Sequence, residues 1–118
     1  MEHHPPQSNT QWMPFRTDEI LYCLTPLEHV EVVLKQGLLP RVEFLEFPAV
    51  SMAYSVDPLY EPVHRFSVEA CKRAGEPVAR LHIRTKNALY RSLFPNRTYQ
   101  IISLDPIKPS DIVHIETV

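Results

Sequence analysis

Basic side chains alternate along one short segment, and their spacing suggests a phosphate-binding surface. From position 78 to 84, apolar residues alternate with Arg80, His82 and Arg84. Successive side chains of a strand point to opposite faces, so these three basic residues would project together. Most of the chain's 12 Lys and Arg residues fall within the same basic segment, positions 65–97. The segment is either a surface for a nucleic-acid or protein partner or an ordinary solvated face.

Two other kinds of chemistry are excluded by spacing. The 6 histidines show no His-x-x-x-His pattern, and the 2 cysteines, Cys23 and Cys71, are not paired as Cys-x-x-Cys. We therefore predict no metal site. The 2 glycines, Gly37 and Gly75, cannot build a phosphate-cradling loop, which excludes a Rossmann domain or a P-loop.

Length and composition predict one folded domain with a short arm. The chain has 118 residues, of which 44% are hydrophobic and 22% charged, enough for one stable core. Residues 1–16 are rich in proline and polar residues and predict a flexible arm, which leaves 17–118 as a single α+β domain. No apolar run reaches the roughly 20 residues of a membrane span. With so few cysteines and no secretory signal, we expect a cytoplasmic protein.

The clearest local signal predicts a strand followed by a helix. The apolar run Ile20–Leu24 is typical of a buried strand. Thr25 and Glu28 then have the spacing of a capping box, which predicts a helix that continues to Gln36. Gly37 follows as the residue best suited to end that helix with a positive φ.

The remaining elements follow from apolar periodicity and from turn residues. An apolar stripe at Val63, Phe66 and Ala70 predicts a second helix that begins near Pro62 and stops at Gly75. The other predicted elements are, in chain order, a loop over Val42–Pro48, a strand over Ala49–Ser55, the strand Val78–Arg84, one or two helical turns over Asn87–Phe94, and strands over Tyr99–Leu104 and Ile112–Thr117.

Three short strings, taken in order, resemble the motifs of a known superfamily. They are Leu21-Tyr22-Cys23-Leu24-Thr25, Val50-Ser51-Met52-Ala53-Tyr54-Ser55-Val56-Asp57-Pro58, and Thr98-Tyr99-Gln100-Ile101-Ile102 with the following Pro106-Ile107-x-Pro109-x-Asp111-Ile112. Together they resemble the ADP-ribosyltransferase superfamily, including its RNA 2′-phosphotransferase branch, over roughly residues 20–118. The resemblance implies an ADP-ribosyltransferase-like α+β fold with a small mixed or antiparallel split β-sheet and two main helices.

The resemblance also implies an activity and a set of site residues. Such enzymes bind NAD as a substrate, release nicotinamide and transfer ADP-ribose to a protein or nucleic-acid acceptor. Gln100 stands at the position of the catalytic Glu, and Tyr54 stands where a side chain packs near the nicotinamide. The residues implied to bind NAD are Tyr22, Cys23, Thr25, Arg41 and Ser55. A compact domain of this kind would suit a toxin, a phage protein or a housekeeping factor.

Two of these positions depart from the family pattern and leave alternatives open. Cys23 replaces a His or Arg, and a thiol is a weak hydrogen-bond donor. Gln100 keeps the length of Glu but lacks its charge. The chain is then either an active transferase, a non-catalytic binding or regulatory module, or an RNA 2′-phosphotransferase-like enzyme. If the acid comes from elsewhere, the candidates are Glu116, Glu61, Glu43 and Glu46.

Each implied site residue also has an ordinary structural explanation. Cys23 sits among apolar residues and suits a buried thiol. Tyr22 and Tyr54 are common strand residues, and Gln100 fits the exposed face of a strand. Arg41, just after the first helix, either binds a phosphate or caps exposed carbonyl groups.

Overall fold

Seven strands and two helices make up residues 11–42 and 45–118, the part of the chain that the computed structural model describes. The elements are β1 (Trp12–Phe15), β2 (Leu21–Pro26), α1 (Val30–Gln36), β3 (Val50–Tyr54), α2 (Tyr60–Arg73), β4 (Val78–Ile83), β5 (Leu89–Ser92), β6 (Gln100–Ser103) and β7 (Ile112–Thr117). Single 3₁₀ turns, Leu27–His29 and Pro109–Asp111, lead into α1 and β7.

All seven strands form one antiparallel sheet in the order β1-β5-β6-β3-β2-β4-β7. The predicted α+β class is therefore confirmed. The sheet is antiparallel throughout the described residues, so the mixed sheet that we allowed for is not present. The most extensive pairing joins β2 to β4 over six residue pairs, from Leu21↔Ile83 to Pro26↔Val78.

The centre of the sheet is its most weakly paired place. β2 and β3 share a ladder of only two residue pairs, Leu21↔Tyr54 and Tyr22↔Ala53. Between these two described strands the ladder stops there, although both continue to pair with their outer neighbours. The sheet thus consists of two well-paired parts, β1-β5-β6-β3 and β2-β4-β7, which are joined by a short seam.

The two helices cover opposite faces of the sheet. Val33 of α1 belongs to the main core cluster together with Leu21 and Leu81. Tyr22 points to the other face because side chains alternate along β2, and there its ring lies 5.2 Å from that of Tyr60 at the start of α2. A second, smaller core cluster consists of Trp12, Ala49, Tyr90 and Ile102.

Both helices differ from the sequence prediction at their beginnings, and α2 also differs on its apolar face. No side-chain cap precedes the turn into α1, and Thr25 is a buried strand residue, so the predicted capping box is wrong. The stop at Gly37 is confirmed, with φ of 75°. α2 begins at Tyr60 rather than near Pro62. Its predicted stripe is also wrong in part, because Phe66 is 68% exposed.

Two strands were not predicted. Residues 12–15 were assigned to a flexible arm but form edge strand β1, in which Trp12 is buried and Pro14 pairs with Tyr90. An edge strand tolerates proline because one side of it makes no ladder. The helical turns predicted over Asn87–Phe94 are wrong, since Leu89–Ser92 forms β5 between β1 and β6. The rest of the arm, residues 1–10, lies outside the described residues.

Candidate functional site

A cavity of about 610 Å³ lies between α2 and the seam of the sheet. It is open to solvent, and both parts of the sheet contribute to its wall. The lining residues come from β2, from β3, from α2 and from the chain that leads into β6: Tyr22, Cys23, Leu24, Ser51, Met52, Ala53, Tyr60, Val63, His64, Ser67, Arg97, Tyr99 and Gln100. Its size falls in the range of small-molecule sites.

Gln100 begins β6 and holds a fixed orientation in the cavity wall. Its Nε2 donates a hydrogen bond to Ser51 Oγ at 3.2 Å, across the ladder between β6 and β3. This bond orients the carboxamide, whose Oε1 can accept a hydrogen bond from a ligand and whose second N–H can donate one. The sequence allowed Gln100 to be an ordinary residue on the exposed face of a strand. In the structure it is half-buried and forms part of the cavity wall.

Tyr22 and Cys23 both contribute to the cavity wall from β2, but their side chains leave opposite faces of the strand, and Cys23 also packs against the main core cluster. Tyr22 packs against Tyr60 and against the edge of the His82 ring, whose centroid is 4.7 Å away. The Arg80 guanidinium lies over the Tyr22 ring, with its carbon 4.7 Å from the ring centroid. Cys23 is a half-buried thiol, and its sulfur contacts the carbonyl oxygen of Leu24 at 3.8 Å.

A polar network adjoins the cavity on the faces of β4 and β7. Arg80 lies opposite Glu116 in the ladder between β4 and β7, and the two side chains form an ion pair through Glu116 Oε1. The same oxygen contacts His82 Nε2 at 2.6 Å. The Arg80 NH1 group donates to Tyr60 Oη at 3.3 Å and to His64 Nε2 at 2.9 Å. The network connects the outer strand of the sheet to the α2 wall of the cavity.

The network shifts the pKa values of its members in directions that follow from its geometry. Burial lowers the pKa of His64, and the nearby Arg80 guanidinium lowers it further. Burial raises the pKa of the Tyr60 phenol, although its hydrogen bond with Arg80 opposes this. The hydrogen bond with His82, followed by that with Arg80, holds the pKa of Glu116 below its ordinary value. At neutral pH His64 and Tyr60 are uncharged, and Glu116 is ionised.

Four of the residues implied by the resemblance do not line the cavity. Tyr54 packs its ring 5.0 Å from that of Phe15, on the face of the main core cluster. Ser55 donates to the carbonyl oxygen of Ile20 and ties the ends of β2 and β3 together. Thr25 is buried in β2, and Arg41 pairs with Ala49 in an isolated bridge. Tyr22, Cys23 and Gln100 are the implied residues that the fold brings together.

Tyr54 is also part of a brace that holds the loops beside the cavity. The Arg91 guanidinium packs against the paired rings of Tyr54 and Phe15, at 5.0 and 5.4 Å from their centroids. It donates to the Asp57 carboxylate at 2.6 Å and to the Thr98 carbonyl oxygen at 2.7 Å. The brace therefore joins the loop before α2 to the loop before β6, from which Tyr60 and Gln100 enter the cavity.

Of the four candidate acids, Glu116 is the one in the network beside the cavity. Glu61 and Glu46 are exposed, and Glu43 lies outside the described residues. Within the described part of the chain, the cavity lining contains no carboxylate. Glu116 itself is paired with two basic groups and is separated from the cavity by Arg80 and Tyr60.

The basic segment does not form one continuous surface. Arg80 and His82 share the Glu116 carboxylate, and Arg91 is paired with Asp57. Arg84 is exposed beyond the end of β4. The other basic residues of the segment are exposed but spread over α2 and separate loops: Arg65, Lys72, Arg73, Lys86 and Arg97. Of these, Arg97 lies at the cavity.

Sequence reasoning missed the α2 side of the site. Tyr60 and His64 are four residues apart, a spacing that places them on one helix face, and their rings stack at 5.1 Å. That spacing is present in the sequence, but it became meaningful only once the helix was seen to begin at Tyr60. Arg97 belongs to the basic segment and Tyr99 to the third string, but neither was assigned to a ligand site, because only the fold places them at the cavity.

Comparisons with known proteins identify no relative of this chain, so a functional proposal must be argued from the fold and the cavity. No family model, curated protein or solved structure matches the chain. Among residues 11–42 and 45–118, no three histidine, cysteine or carboxylate side chains are grouped so as to hold a metal ion. Neither helix of this part of the chain has the length and apolar character needed to cross a bilayer.

Proposed function

We propose that this chain is an ADP-ribosyltransferase-like domain that binds NAD in the cavity and cleaves its nicotinamide–ribose bond. One observation carries the proposal. The three strings that resemble the superfamily's motifs run through β2, β3 and β6, and these strands are neighbours in the sheet in the order β6-β3-β2. Each string contributes to the same cavity, through Tyr22 and Cys23, through positions 51–53, and through Gln100. Residues far apart in sequence thus meet at one ligand-sized site.

The chemistry requires little covalent participation by the protein. The bond between ribose C1′ and the nicotinamide nitrogen breaks, and its electron pair leaves with nicotinamide, which becomes neutral. The ribose is left as an oxocarbenium-like cation, which an acceptor nucleophile attacks with loss of its own proton. The protein must hold NAD in a strained conformation and place electron-rich atoms near the developing charge.

Gln100 and Tyr22 are suited to that task. Gln100 Oε1 is an oriented acceptor for a ribose hydroxyl, since Ser51 engages the amide nitrogen. Its partial charge stabilises a cation less than a carboxylate does, so turnover is expected to be slow. Tyr22 lines the cavity at the seam, where the part of its ring not covered by Arg80, Tyr60 and His82 can contact a ligand. Tyr54 supports the site indirectly, as part of the Arg91 brace.

A second candidate is a non-catalytic module of the same shape. It is favoured by the absence of a carboxylate from the described lining and by the pairing of Glu116 with Arg80 and His82. Such a module would bind NAD or a related nucleotide without breaking it. In either case an acceptor or partner protein, or a nucleic acid, would approach through exposed basic residues such as Arg97 and Arg84.

The test is to incubate the purified protein with NAD and follow the nicotinamide proton resonances over hours. Release of free nicotinamide supports the transferase, whereas broadening without cleavage supports the binding module. No change at all would refute both. Ser67→Trp fills the cavity and should abolish any effect on NAD, while Arg65→Trp, on the exposed side of the same helix, should not.

Restoring the charge gives a second measurement. Gln100→Glu should raise nicotinamide release by about a hundredfold, the scale at which one oriented charge contact acts in catalysis. The matched control is Gln36→Glu, an exposed position at the end of α1, which should leave the rate unchanged. Equal rates in wild type and Gln100→Glu, with NAD bound in both, would favour the non-catalytic module.

A further inference from the structure

The Arg80 guanidinium contacts the α2 wall of the cavity, where one of its nitrogens donates hydrogen bonds to two residues. NH1 donates to Tyr60 Oη and to His64 Nε2 at 3.3 and 2.9 Å. A guanidinium has donors but no acceptor, so both contacts have a defined direction. Tyr60 and His64 must each present a lone pair to Arg80.

For His64, this direction determines where the ring proton lies. Nε2 accepts from Arg80 and therefore carries no proton, so the neutral ring carries its proton on Nδ1. The ring is also held in place, because it stacks on Tyr60 at 5.1 Å with 16° between the planes. His64 is thus a neutral side chain with one defined donor.

The same reasoning applies to the Tyr60 hydroxyl. Its oxygen accepts from Arg80, which leaves its own O–H to donate elsewhere. No acceptor for this O–H is recorded among residues 11–42 and 45–118, and Tyr60 lines the cavity. The α2 wall therefore supplies two donors whose orientation depends on one half-buried cation.

The charge of the cavity indicates what those donors would bind. The described lining carries the guanidinium of Arg97 and no carboxylate. Arg80 does not add to this positive charge, because Glu116 neutralises it from behind. A site rich in donors, with one free cation and no anion, is complementary to an anionic ligand rich in acceptors.

We propose that Tyr60, His64 and Arg97 form a phosphate-binding subsite on the α2 side of the cavity, with Arg80 as the positioning residue that fixes Tyr60 and His64 as donors. The ligand group is a phosphate or diphosphate ester. The inference rests on the proposed function only where it assigns this group to the diphosphate of NAD. Gln100 and Tyr22 then lie toward the ribose and nicotinamide.

The first experiment titrates the ¹⁵N-labelled protein with inorganic pyrophosphate and, separately, with ADP-ribose, and follows amide and side-chain shifts. Tyr60→Phe removes a single hydroxyl and should weaken pyrophosphate binding about tenfold, the scale of one hydrogen bond to a charged group. Tyr90→Phe is the matched control, since Tyr90 belongs to the smaller core cluster and not to the cavity. It should bind as wild type does.

A pair of His64 variants separates a binding role from a structural one. His64→Gln keeps an acceptor for Arg80 and a donor for the ligand, and should bind pyrophosphate within about threefold of wild type, since the hydrogen-bond inventory is preserved. His64→Leu keeps similar bulk but neither function, and should lose binding about tenfold or more. Spectra of the free proteins show whether each variant is folded.

The role of Arg80 has its own spectroscopic signature. Long-range ¹H–¹⁵N spectra of the wild-type protein should show His64 protonated on Nδ1, and Arg80→Lys should disturb that preference while weakening pyrophosphate binding. A proton on Nε2 in the wild type would overturn the assignment of Arg80 as the positioning residue. This readout separates positioning from packing, because a general loss of packing in Arg80→Lys would not change which His64 nitrogen carries the proton.

The outcomes also separate this inference from the proposed function. Pyrophosphate binding that depends on Tyr60 and His64, without NAD cleavage, supports the subsite and counts against the transferase. NAD cleavage that is indifferent to Tyr60→Phe and His64→Leu supports the transferase and overturns the subsite. No shift with millimolar pyrophosphate or ADP-ribose overturns the subsite. Binding of pyrophosphate without ADP-ribose would identify a site for free phosphate, not for a nucleotide.

Discussion

Replacing Arg91 with methionine is expected to destabilise the fold strongly, because Arg91 neutralises a buried carboxylate. The Asp57 side chain is 2% exposed, and it accepts hydrogen bonds from Arg91 at 2.6 Å and from the Leu59 backbone N–H at 2.9 Å. Arg91→Met keeps an unbranched side chain against the rings of Phe15 and Tyr54 but removes the charge.

The magnitude follows from what the substitution leaves behind. Removing one partner of a buried ion pair typically costs about 3–5 kcal/mol, since the other charge stays without compensation. Arg91 also loses its hydrogen bond to the Thr98 carbonyl oxygen. A domain of this size has a free energy of unfolding of about 5–15 kcal/mol, so the loss is a large fraction of the total. We expect about 4 kcal/mol.

The assay is urea unfolding followed by the fluorescence of Trp12, the single tryptophan, which is 5% exposed. The double variant Arg91→Met with Asp57→Asn removes both charges and should recover part of the loss. Arg65→Met, at an exposed position on α2, is the control and should change stability by less than about 0.5 kcal/mol. A loss below about 1 kcal/mol in Arg91→Met, or a double variant no more stable than the single one, would refute the reasoning.

Acidification and two glycine substitutions give further tests. The folded-state pKa of His64 lies below its ordinary 6.5, so the unfolded chain binds the extra proton and stability should begin to fall as pH drops below that value. Urea midpoints measured against pH should show this early decline in wild type and not in His64→Gln. The pKa of Glu116 is lowered from 4.5, so its stabilising contribution is present above that pH and is lost on further acidification; in Glu116→Gln the corresponding decline should be absent. Gly37→Ala should prevent stable folding or cost several kcal/mol, because its Cβ would lie 1.9 Å from the backbone oxygen of Ile107 and φ is 75°. Gly75→Ala has the same kind of φ, 70°, but open space, so thermal unfolding should show a loss of only about 1 kcal/mol.

Much of the fold was accessible from local sequence signals. Alternation along Val78–Ile83 placed Arg80 and His82 on one face and the apolar residues in the core, as the structure shows. The apolar run at β2 and the stop at Gly37 were also correct, because a strand pattern and a positive φ are local properties. β5 was missed since three of its four residues are buried, which removes the alternation that marks a half-exposed strand.

The site depended on pairing between distant strands. The sequence by itself determined the chemical types available, including the amide of Gln100 and the Tyr60–His64 spacing on one helix. It also determined that Arg80 and His82 share a strand face. Only the tertiary structure decided that β2, β3 and β6 are neighbours, that the β2–β3 ladder ends after two pairs, and that Glu116 neutralises Arg80. The reason is physical: periodicity reports which face of an element a residue occupies, but which elements meet is set by packing and ladder formation over the whole chain.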